Sequence, residues 1–138
     1  MFKKILLPLD LSDRHGAVLK AAVELARQSG GSIELFHVIE TLAGLSIEEE
    51  RDFYARLEKA ARKHLDKQGR LLSDAGVAWM ATVRLGHRGA EIVKHAGESA
   101  ADLIVLTAPR LDPGGPEGWG SLSYKVSILS PCPVLLVK

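Results

Sequence analysis

The chain has no pair of cysteines, so it can form no internal disulfide within these residues. Its one cysteine, Cys132, stands between two prolines, and we expect it to be a small core residue of a protein in a reducing compartment. Long apolar runs are also missing, because the run near the amino terminus breaks at Pro8 and is followed by Asp10. These absences predict a cytoplasmic protein that makes no use of a membrane.

An excess of charge of either sign is absent as well. Lys and Arg number 18 against 17 Asp and Glu, which gives a formal net charge of +1 at pH 7. Such a balance offers no overall electrostatic reason to expect a nucleic acid or an acidic membrane as partner. A chain of 138 residues with 46% hydrophobic content can bury one core. We therefore predict a single domain over residues 1–138.

Motifs of the common enzyme classes are not found. The five histidines lack zinc-ligand spacing and no cysteine pair supports them, so we predict no metal site. A Gly-x-Ser-x-Gly elbow and a Walker loop are missing. The stretch Val83-Arg84-Leu85-Gly86 lacks the acidic acceptor of a response regulator, and the loop after the first strand is too acidic for a flavin phosphate. Only His37 merits inspection, and a core or rim role is favoured over a catalytic one. The sequence predicts that the protein is not an enzyme.

The chain does contain a regular alternation of apolar strands with amphipathic helices. Strands are predicted over residues 5–9, 32–38, 77–83, 102–106 and 133–137. Because a crossover helix runs back over the sheet, strands connected in this way pair in parallel. We predict a three-layer α/β domain of the flavodoxin-like type, with a five-stranded parallel sheet covered by helices on both faces.

Capping residues and apolar spacing predict the helix limits and faces. Ser12 or Asp13 is expected to cap the first helix, which Gly30 and Gly31 end. A capping box at Ser46 predicts a long helix from residue 47 to about residue 73. The apolar faces of the third and fourth helices are expected at Ala90, Val93, Ala96 and Ala100, and at Leu122, Val126 and Leu129.

Ligands of parallel α/β sheets bind beyond the carboxyl ends of the strands, where the strand order reverses. In this chain those ends lie at residues 9–11, 38–40 and from Thr107 onward. A Pro- and Gly-rich loop over residues 108–119 follows the fourth strand and leads to Gly120-Ser121 at the start of the last helix. Strand, loop and helix N-terminus together offer free backbone N–H groups to an anion. We expect the ligand site at this end of the sheet.

Four segments of the chain resemble the universal stress protein family. They are Ile5-Leu6-Leu7-Pro8-Leu9-Asp10-Leu11-Ser12, His37-Val38, Ala101-Asp102-Leu103-Ile104-Val105-Leu106 and Ser130-Pro131-Cys132-Pro133-Val134-Leu135-Leu136-Val137. The similarity covers the whole chain in order, and the closing Ser-Pro-Cys-Pro-Val run is close to a family signature. The resemblance implies the adenine nucleotide α-hydrolase-like form of the fold and a regulatory role in stress response. Members of this family that bind ATP carry a motif directly after the fourth strand: Gly-x-x-Gly, nine further residues, and then Gly-Ser or Gly-Thr.

This chain keeps the spacing of the motif but lacks the two glycines of its first half. Thr107 stands at the first glycine and Arg110 at the second, whereas Gly120 and Ser121 match. Glycine suits those positions because a phosphate approaches the backbone closely there and a positive φ is tolerated. Thr107 is stiff, Arg110 fills the phosphate's space, and Pro109 has no N–H to donate. We predict a degenerate nucleotide site with weak or no ATP binding and no required cofactor.

Other residues keep a second function open, namely an ATP-binding switch or slow ATPase, with Mg²⁺ present only alongside ATP. The resemblance implies that Asp10 meets the adenine and ribose side of the ligand and that Val38 lines the adenine. Arg110 could clamp a phosphate or select a different small anion. Plainer interpretations make Asp10 and Ser121 helix caps and Val38 a core residue. If the site is retained, its residues are expected to be Pro8, Leu9, Asp10, Val38, Thr107, Arg110, Gly120, Ser121, Leu122 and Ser123.

The last predicted strand is strongly apolar and is expected at the edge of the sheet. An unprotected edge of this kind favours pairing with another chain, and a symmetric dimer lets the strand pair with itself in antiparallel fashion. We predict a homodimer with an interface formed by Pro133, Val134, Leu135, Leu136 and Val137. The alternative is a monomer whose edge is protected by Pro133 and Lys138. The partner protein that a regulatory module would act on is not identified by the sequence.

Overall fold

A parallel sheet forms the centre of the molecule in a computed structural model of the chain, which describes residues 1–42, 44, 46, 48–109 and 122–138. Within these residues the elements are β1 (Lys4–Pro8), α1 (Gly16–Ser29), β2 (Ser32–Glu40), α2 (Arg51–Asp74), β3 (Trp79–Gly86), α3 (Arg88–Glu98), β4 (Leu103–Thr107), α4 (Leu122–Leu129) and β5 (Val134–Val137). The five strands of this described part lie in the order β3-β2-β1-β4-β5, and each neighbouring pair is parallel. The predicted flavodoxin-like fold is confirmed.

The strand β1 lies in the middle of the sheet, between β2 and β4. Ile5, Leu6 and Leu7 are at most 1% exposed, because helices cover both faces of this strand. Each such buried side chain contributes about 1.5–3 kcal/mol to the free energy of unfolding. The chain runs outward from β1 to β3 and then crosses back to β4, so the strand order reverses between β1 and β4. This reversal places the ends of these two strands, at Pro8 and Thr107, side by side.

The described residues form two cores, one on each face of the sheet, between the sheet and the helices. On one face, Leu35 of β2 packs in a cluster with Leu65 of α2. On the other face, Phe36 packs with Ile92 of α3 and Val126 of α4. Neighbouring residues of β2 point to opposite cores because side chains alternate along a strand.

The long helix α2 begins at Arg51, later than predicted. Ser46 does accept a hydrogen bond at Oγ from the backbone N of Glu49, at 3.0 Å, but it caps the turn that precedes the helix. Residue 47, where the helix was expected to begin, lies outside the described residues. Tyr54 is 3% exposed and its hydroxyl accepts a bond of 3.1 Å from the N of Leu42, which ties the preceding loop to the helix. None of the helices in the described ranges is both long and apolar enough to cross a membrane.

The start of α1 differs from the prediction. His15 is the N-cap, the helix begins at Gly16, and no capping bond from a side chain is seen among the described residues. The prediction that Ser12 or Asp13 caps this helix is therefore wrong. The loop after β1 is instead shaped by hydrogen bonds to Asp10, which delay the first helical turn.

The apolar face predicted for α3 is also wrong in part. Ala90 and Ala100 are exposed, and Ala100 lies beyond the end of the helix with φ at +55°. The buried residues are Ile92, His95 and Ala96. Alanine spacing was a weak guide because burying the larger Ile92 stabilises the structure more than burying a methyl group.

The strand β5 lies at the edge of the sheet, as predicted, and pairs with β4. Leu135 and Leu136 of this strand are 38% and 42% exposed. In the preceding helix Val126 is buried as expected, but Leu129 is exposed, so the predicted face of α4 holds only for its first turns. Cys132 is half-buried and packs against the core beneath α3 and α4, in keeping with a filling role.

Candidate functional site

A cavity of about 330 Å³ opens at the carboxyl ends of β1, β2 and β4. This is the position at which parallel α/β sheets bind ligands, since the strand order reverses there. Seven of the predicted site residues line it, namely Pro8, Leu9, Asp10, Val38, Thr107, Leu122 and Ser123. The other three, Arg110, Gly120 and Ser121, lie outside the described residues.

Part of the cavity wall is apolar. Leu9, Val38 and Leu106 line it and are each at most 5% exposed. The backbone N of Leu9 donates to the carbonyl oxygen of Phe36 at 2.8 Å, which extends the contact between the first two strands beyond the end of β1. These side chains form a rigid surface that suits a flat, weakly polar ligand group.

His15 links the end of β1 to the end of β4. Its Nε2 lies 2.7 Å from Oδ1 of Asp10, and its Nδ1 lies 3.0 Å from Oγ1 of Thr107. The imidazole is 8% exposed and lines the cavity. Sequence reasoning missed His15, because Thr107 is 92 residues away along the chain. The only local signal was its position five residues after Asp10.

Asp10 is held as an acceptor by several donors. Its carboxylate accepts a bond of 2.8 Å from the backbone N of Ser12 and lies 3.3 Å from Nη2 of Arg14. Partial burial opposes ionisation of the Asp10 carboxyl. The hydrogen bonds from Ser12 and His15, with the charge of His15, outweigh burial and hold the pKa of Asp10 well below its usual range. Asp10 is therefore ionised at neutral pH, and its interpretation as a helix cap is wrong.

His37 stands on the opposite wall of the cavity. Its Nδ1 lies 2.7 Å from the carbonyl oxygen of Leu9, and since a carbonyl can only accept, Nδ1 donates. Burial lowers the pKa of His37, the bond to Leu9 raises it by less, and the charge of Arg88 lowers it further. A neutral imidazole that braces the end of β1 fits the rim role favoured by the sequence.

Two arginines that the sequence reasoning did not select bring positive charge to the cavity. Arg14 pairs with Asp10 at 3.3 Å, and Arg88 pairs with Glu40 at 3.6 Å. The side chains of Arg14 and Arg88 are 60% and 44% exposed, so these pairs contribute little to stability. Either arginine can turn toward an anion in the cavity at small cost.

Comparison with known proteins shows the family to which the chain belongs. A family model described as the Universal stress protein family matches residues 1–138, the full length of the chain. The chain belongs to the universal stress protein family. The resemblance inferred from four sequence segments is thus confirmed.

The chain is also similar, in sequence or in structure, to individual members of the universal stress protein family. Universal stress protein YxiE of Bacillus subtilis is 30% identical over 148 residues, with 100% of both chains covered. The solved universal stress protein UspA of Lactobacillus plantarum has a TM-score of 0.82 at 20% identity, covering 99% of this chain and 98% of that one. The universal stress protein of Archaeoglobus fulgidus in complex with dAMP has a TM-score of 0.75 at 22% identity, with 100% of both chains covered. At these identities the two solved structures support the fold alone.

A nucleophilic triad is made of a carboxylate, an imidazole and a hydroxyl, and Asp10, His15 and Thr107 supply these three groups. Their connectivity is reversed, since the carboxylate bonds Nε2 and the hydroxyl bonds Nδ1, the ring nitrogen next to the backbone attachment. The Thr107 hydroxyl is also secondary and β-branched, which crowds an attacking oxygen. Within the described residues no group of three or more His, Cys, Asp or Glu side chains is placed to hold a metal ion. The arrangement is better suited to binding than to covalent chemistry.

Proposed function

We propose that this protein is a non-catalytic regulatory module of the stress response whose cavity binds the adenosine part of an adenine nucleotide and holds a triphosphate only weakly. The observation that carries the proposal is the hydrogen bond between His15 Nδ1 and Thr107 Oγ1 at the carboxyl end of β4. A side chain stands where nucleotide-binding relatives are expected to have glycine, and its hydroxyl is already engaged.

The adenosine half of the proposal rests on the walls of the cavity. Leu9 and Val38 offer buried apolar surface to a base, as the family resemblance implies for Val38. The Asp10 carboxylate can accept hydrogen bonds from ribose hydroxyls, because its lowered pKa keeps it ionised at neutral pH. The universal stress protein of Archaeoglobus fulgidus, which has the same fold, forms a complex with dAMP, and this supports an adenine nucleotide as the ligand proposed here.

The second part of the proposal, weak binding of a triphosphate, rests on Thr107. A phosphate chain needs close approach to backbone N–H groups, and a β-branched side chain with a fixed hydroxyl obstructs that approach. Pro109, which also lines the cavity, supplies no N–H. Arg110 at the second glycine position remains part of the prediction from sequence.

Calorimetric titration with adenosine and with Mg-ATP near neutral pH tests the proposal. We expect both to bind, with an affinity for ATP within about tenfold of that for adenosine. Micromolar ATP binding that greatly exceeds adenosine binding would contradict the proposal, and so would the absence of adenosine binding. Asp10→Asn should weaken adenosine binding, whereas the matched change Asp66→Asn, at an exposed position of α2, should leave it unchanged.

A second function, an ATP-binding switch or slow ATPase, is favoured by Arg14 and Arg88. Both line the cavity and both are exposed enough to reorient toward phosphates. If this function holds, Arg88→Gln should weaken ATP binding at least about tenfold with little effect on adenosine. Release of inorganic phosphate from Mg-ATP, lost on Asp10→Asn, would identify the ATPase.

We also propose that two copies pair through β5. Leu135 and Leu136 lie on the sheet edge and are partly exposed in the single chain. Antiparallel pairing of the edge strands would cover them and satisfy the open backbone groups of the edge. A cytoplasmic location stays a prediction from the sequence.

A further inference from the structure

We propose that His15 and Thr107 make nucleotide binding respond to pH: protonation of His15 turns the Thr107 hydroxyl from a hydrogen-bond acceptor into a donor toward the bound phosphate. Anionic nucleotides should therefore bind more tightly in mild acid. This inference rests on the proposed nucleotide function and adds its regulation.

The hydrogen on Nε2 of His15 is assigned by its partner. Nε2 lies 2.7 Å from Oδ1 of Asp10, and an ionised carboxylate has no hydrogen to give. Nε2 therefore donates in both charge states of the ring. The lowered pKa of Asp10 keeps the carboxylate ionised throughout the range in which histidines ordinarily change charge.

With Nε2 protonated, a neutral His15 has a bare Nδ1. That atom can only accept, so the Thr107 hydroxyl must donate to it across the 3.0 Å contact. Thr107 then presents only oxygen lone pairs to the cavity that it lines. Lone pairs repel the oxygens of a phosphate.

Protonation of His15 reverses this bond. Both ring nitrogens now donate, so Nδ1 donates to Oγ1 of Thr107. The hydroxyl keeps its hydrogen, which no longer bonds Nδ1 and can point into the cavity. The free hydroxyl can donate to a phosphate oxygen, and the imidazolium adds positive charge to the same wall. The change needs no movement of either side chain's heavy atoms.

The other charged groups around His15 do not produce the same effect. Arg14 and Asp10 precede it in the loop after β1, Arg88 faces the cavity from the start of α3, and His37 faces it from β2. The two arginines keep their charge throughout the physiological range. Burial lowers the pKa of His37, so it gains charge only in more acidic solution than an ordinary histidine. Histidine is the side chain that ordinarily changes charge between about pH 5 and 8.

An NMR titration with AMP at about pH 5.5 and about pH 8 tests the inference. The wild type is compared with Thr107→Val, which removes the hydroxyl, and with Thr107→Ser, which keeps it. Because ratios of affinity between variants are taken at one pH, the titration of the AMP phosphate cancels. We expect the wild type to exceed Thr107→Val by about tenfold at the acidic pH and to differ little from it at the alkaline pH. Thr107→Ser should behave like the wild type.

The same spectra report the ring of His15 without any ligand. We expect the tautomer with hydrogen on Nε2 at the alkaline pH, and the opposite tautomer would overturn the inference whether or not a nucleotide binds. An equal wild-type to Thr107→Val ratio at both pH values would also overturn it while leaving the proposed function intact. Absence of AMP binding at both pH values would instead contradict the proposed function, and the inference with it.

Discussion

The indole ring of Trp79 lies so close over Gly69 that a methyl group on Gly69 would come within 2.2 Å of the ring atoms Cη2 and Cζ2. This contact joins α2 to the edge strand β3. The ring is also fixed by a bond of 2.7 Å from its Nε1 to Oγ of Ser73. Gly69 is therefore present in the middle of a long helix because no larger residue fits beneath Trp79.

Gly69→Ala is expected to lower the free energy of unfolding by about 1–3 kcal/mol, since the overpacking outweighs the better helix propensity of alanine. Gly97→Ala in α3 is the matched control, because a methyl group there meets nothing within 4 Å. That change should raise the free energy of unfolding by about 0.5–1 kcal/mol. Urea denaturation of both variants decides the matter, and a stabilised Gly69→Ala variant would show that the indole moves aside freely.

A buried polar cluster on the other face of the sheet should also contribute to stability. Glu34 accepts bonds at Oε2 from Thr82 Oγ1 at 2.6 Å and lies 2.9 Å from Nε2 of His95. The imidazole of His95 stacks on Phe36 with ring centroids 4.6 Å apart. His95→Phe keeps a ring there but leaves the carboxylate short of a donor, so we expect a loss of about 1–3 kcal/mol in thermal or urea unfolding.

The control for this cluster is the double variant Glu34→Gln with His95→Phe. A neutral amide still accepts from Thr82 and loses less by burial than a carboxylate, so the double variant should be more stable than His95→Phe alone. Equal stabilities would indicate that Glu34 is adequately solvated without His95. Lys94→Ala, at an exposed neighbouring position, should change the free energy of unfolding by less than about 0.5 kcal/mol.

Asp10 should make the free energy of unfolding depend on pH in acidic solution. A carboxyl whose pKa is lowered by folding contributes stability above its unfolded-state pKa of about 3.9, and this contribution is lost as the pH falls through the lower folded value. The free energy of unfolding of the wild type should therefore fall below about pH 5 more steeply than that of Asp10→Asn. Parallel acid limbs in the two proteins would mean that the Ser12 and His15 bonds do not favour the ionised form.

The dimer proposal predicts a single change that separates the subunits. Leu136→Lys places a charge in the proposed β5 interface and should convert a protein of twice the chain mass into a single chain, as measured by analytical ultracentrifugation. Leu71→Lys is the matched control, because Leu71 is an exposed leucine on α2, away from β5. A wild type that sediments as one chain at every concentration would exclude the dimer.

Apolar runs predicted the architecture well because strands buried on both faces need nearly continuous hydrophobic sequence. The runs at β1 and β4 are the most deeply buried strands, and the edge position of β5 followed from its place at the end of an alternating chain. The apolar runs also predicted where the cavity lies, since its location depends on strand ends and strand order alone. Seven of the ten predicted site residues meet there.

The chemistry inside the cavity was less predictable. His15 acquires its role from Thr107, and His95 acquires its role from Glu34, 61 residues away along the chain. Such pairs depend on which strands become neighbours, and no local spacing contains that information. The orientation of α3 was missed for a related reason, because the face that packs is set by the partner surface of the sheet and not by alanines alone.

We propose that the side chains of Thr107 and Arg110 weaken binding of a triphosphate and leave the adenosine site intact. The most direct measurement is calorimetric titration of the double variant Thr107→Gly with Arg110→Gly at about pH 8, where the Thr107 hydroxyl is expected to contribute no donor. We expect at least about a tenfold gain in Mg-ATP affinity over the wild type, with adenosine affinity unchanged. Unchanged or weaker ATP binding in a variant that still binds adenosine would contradict this proposal.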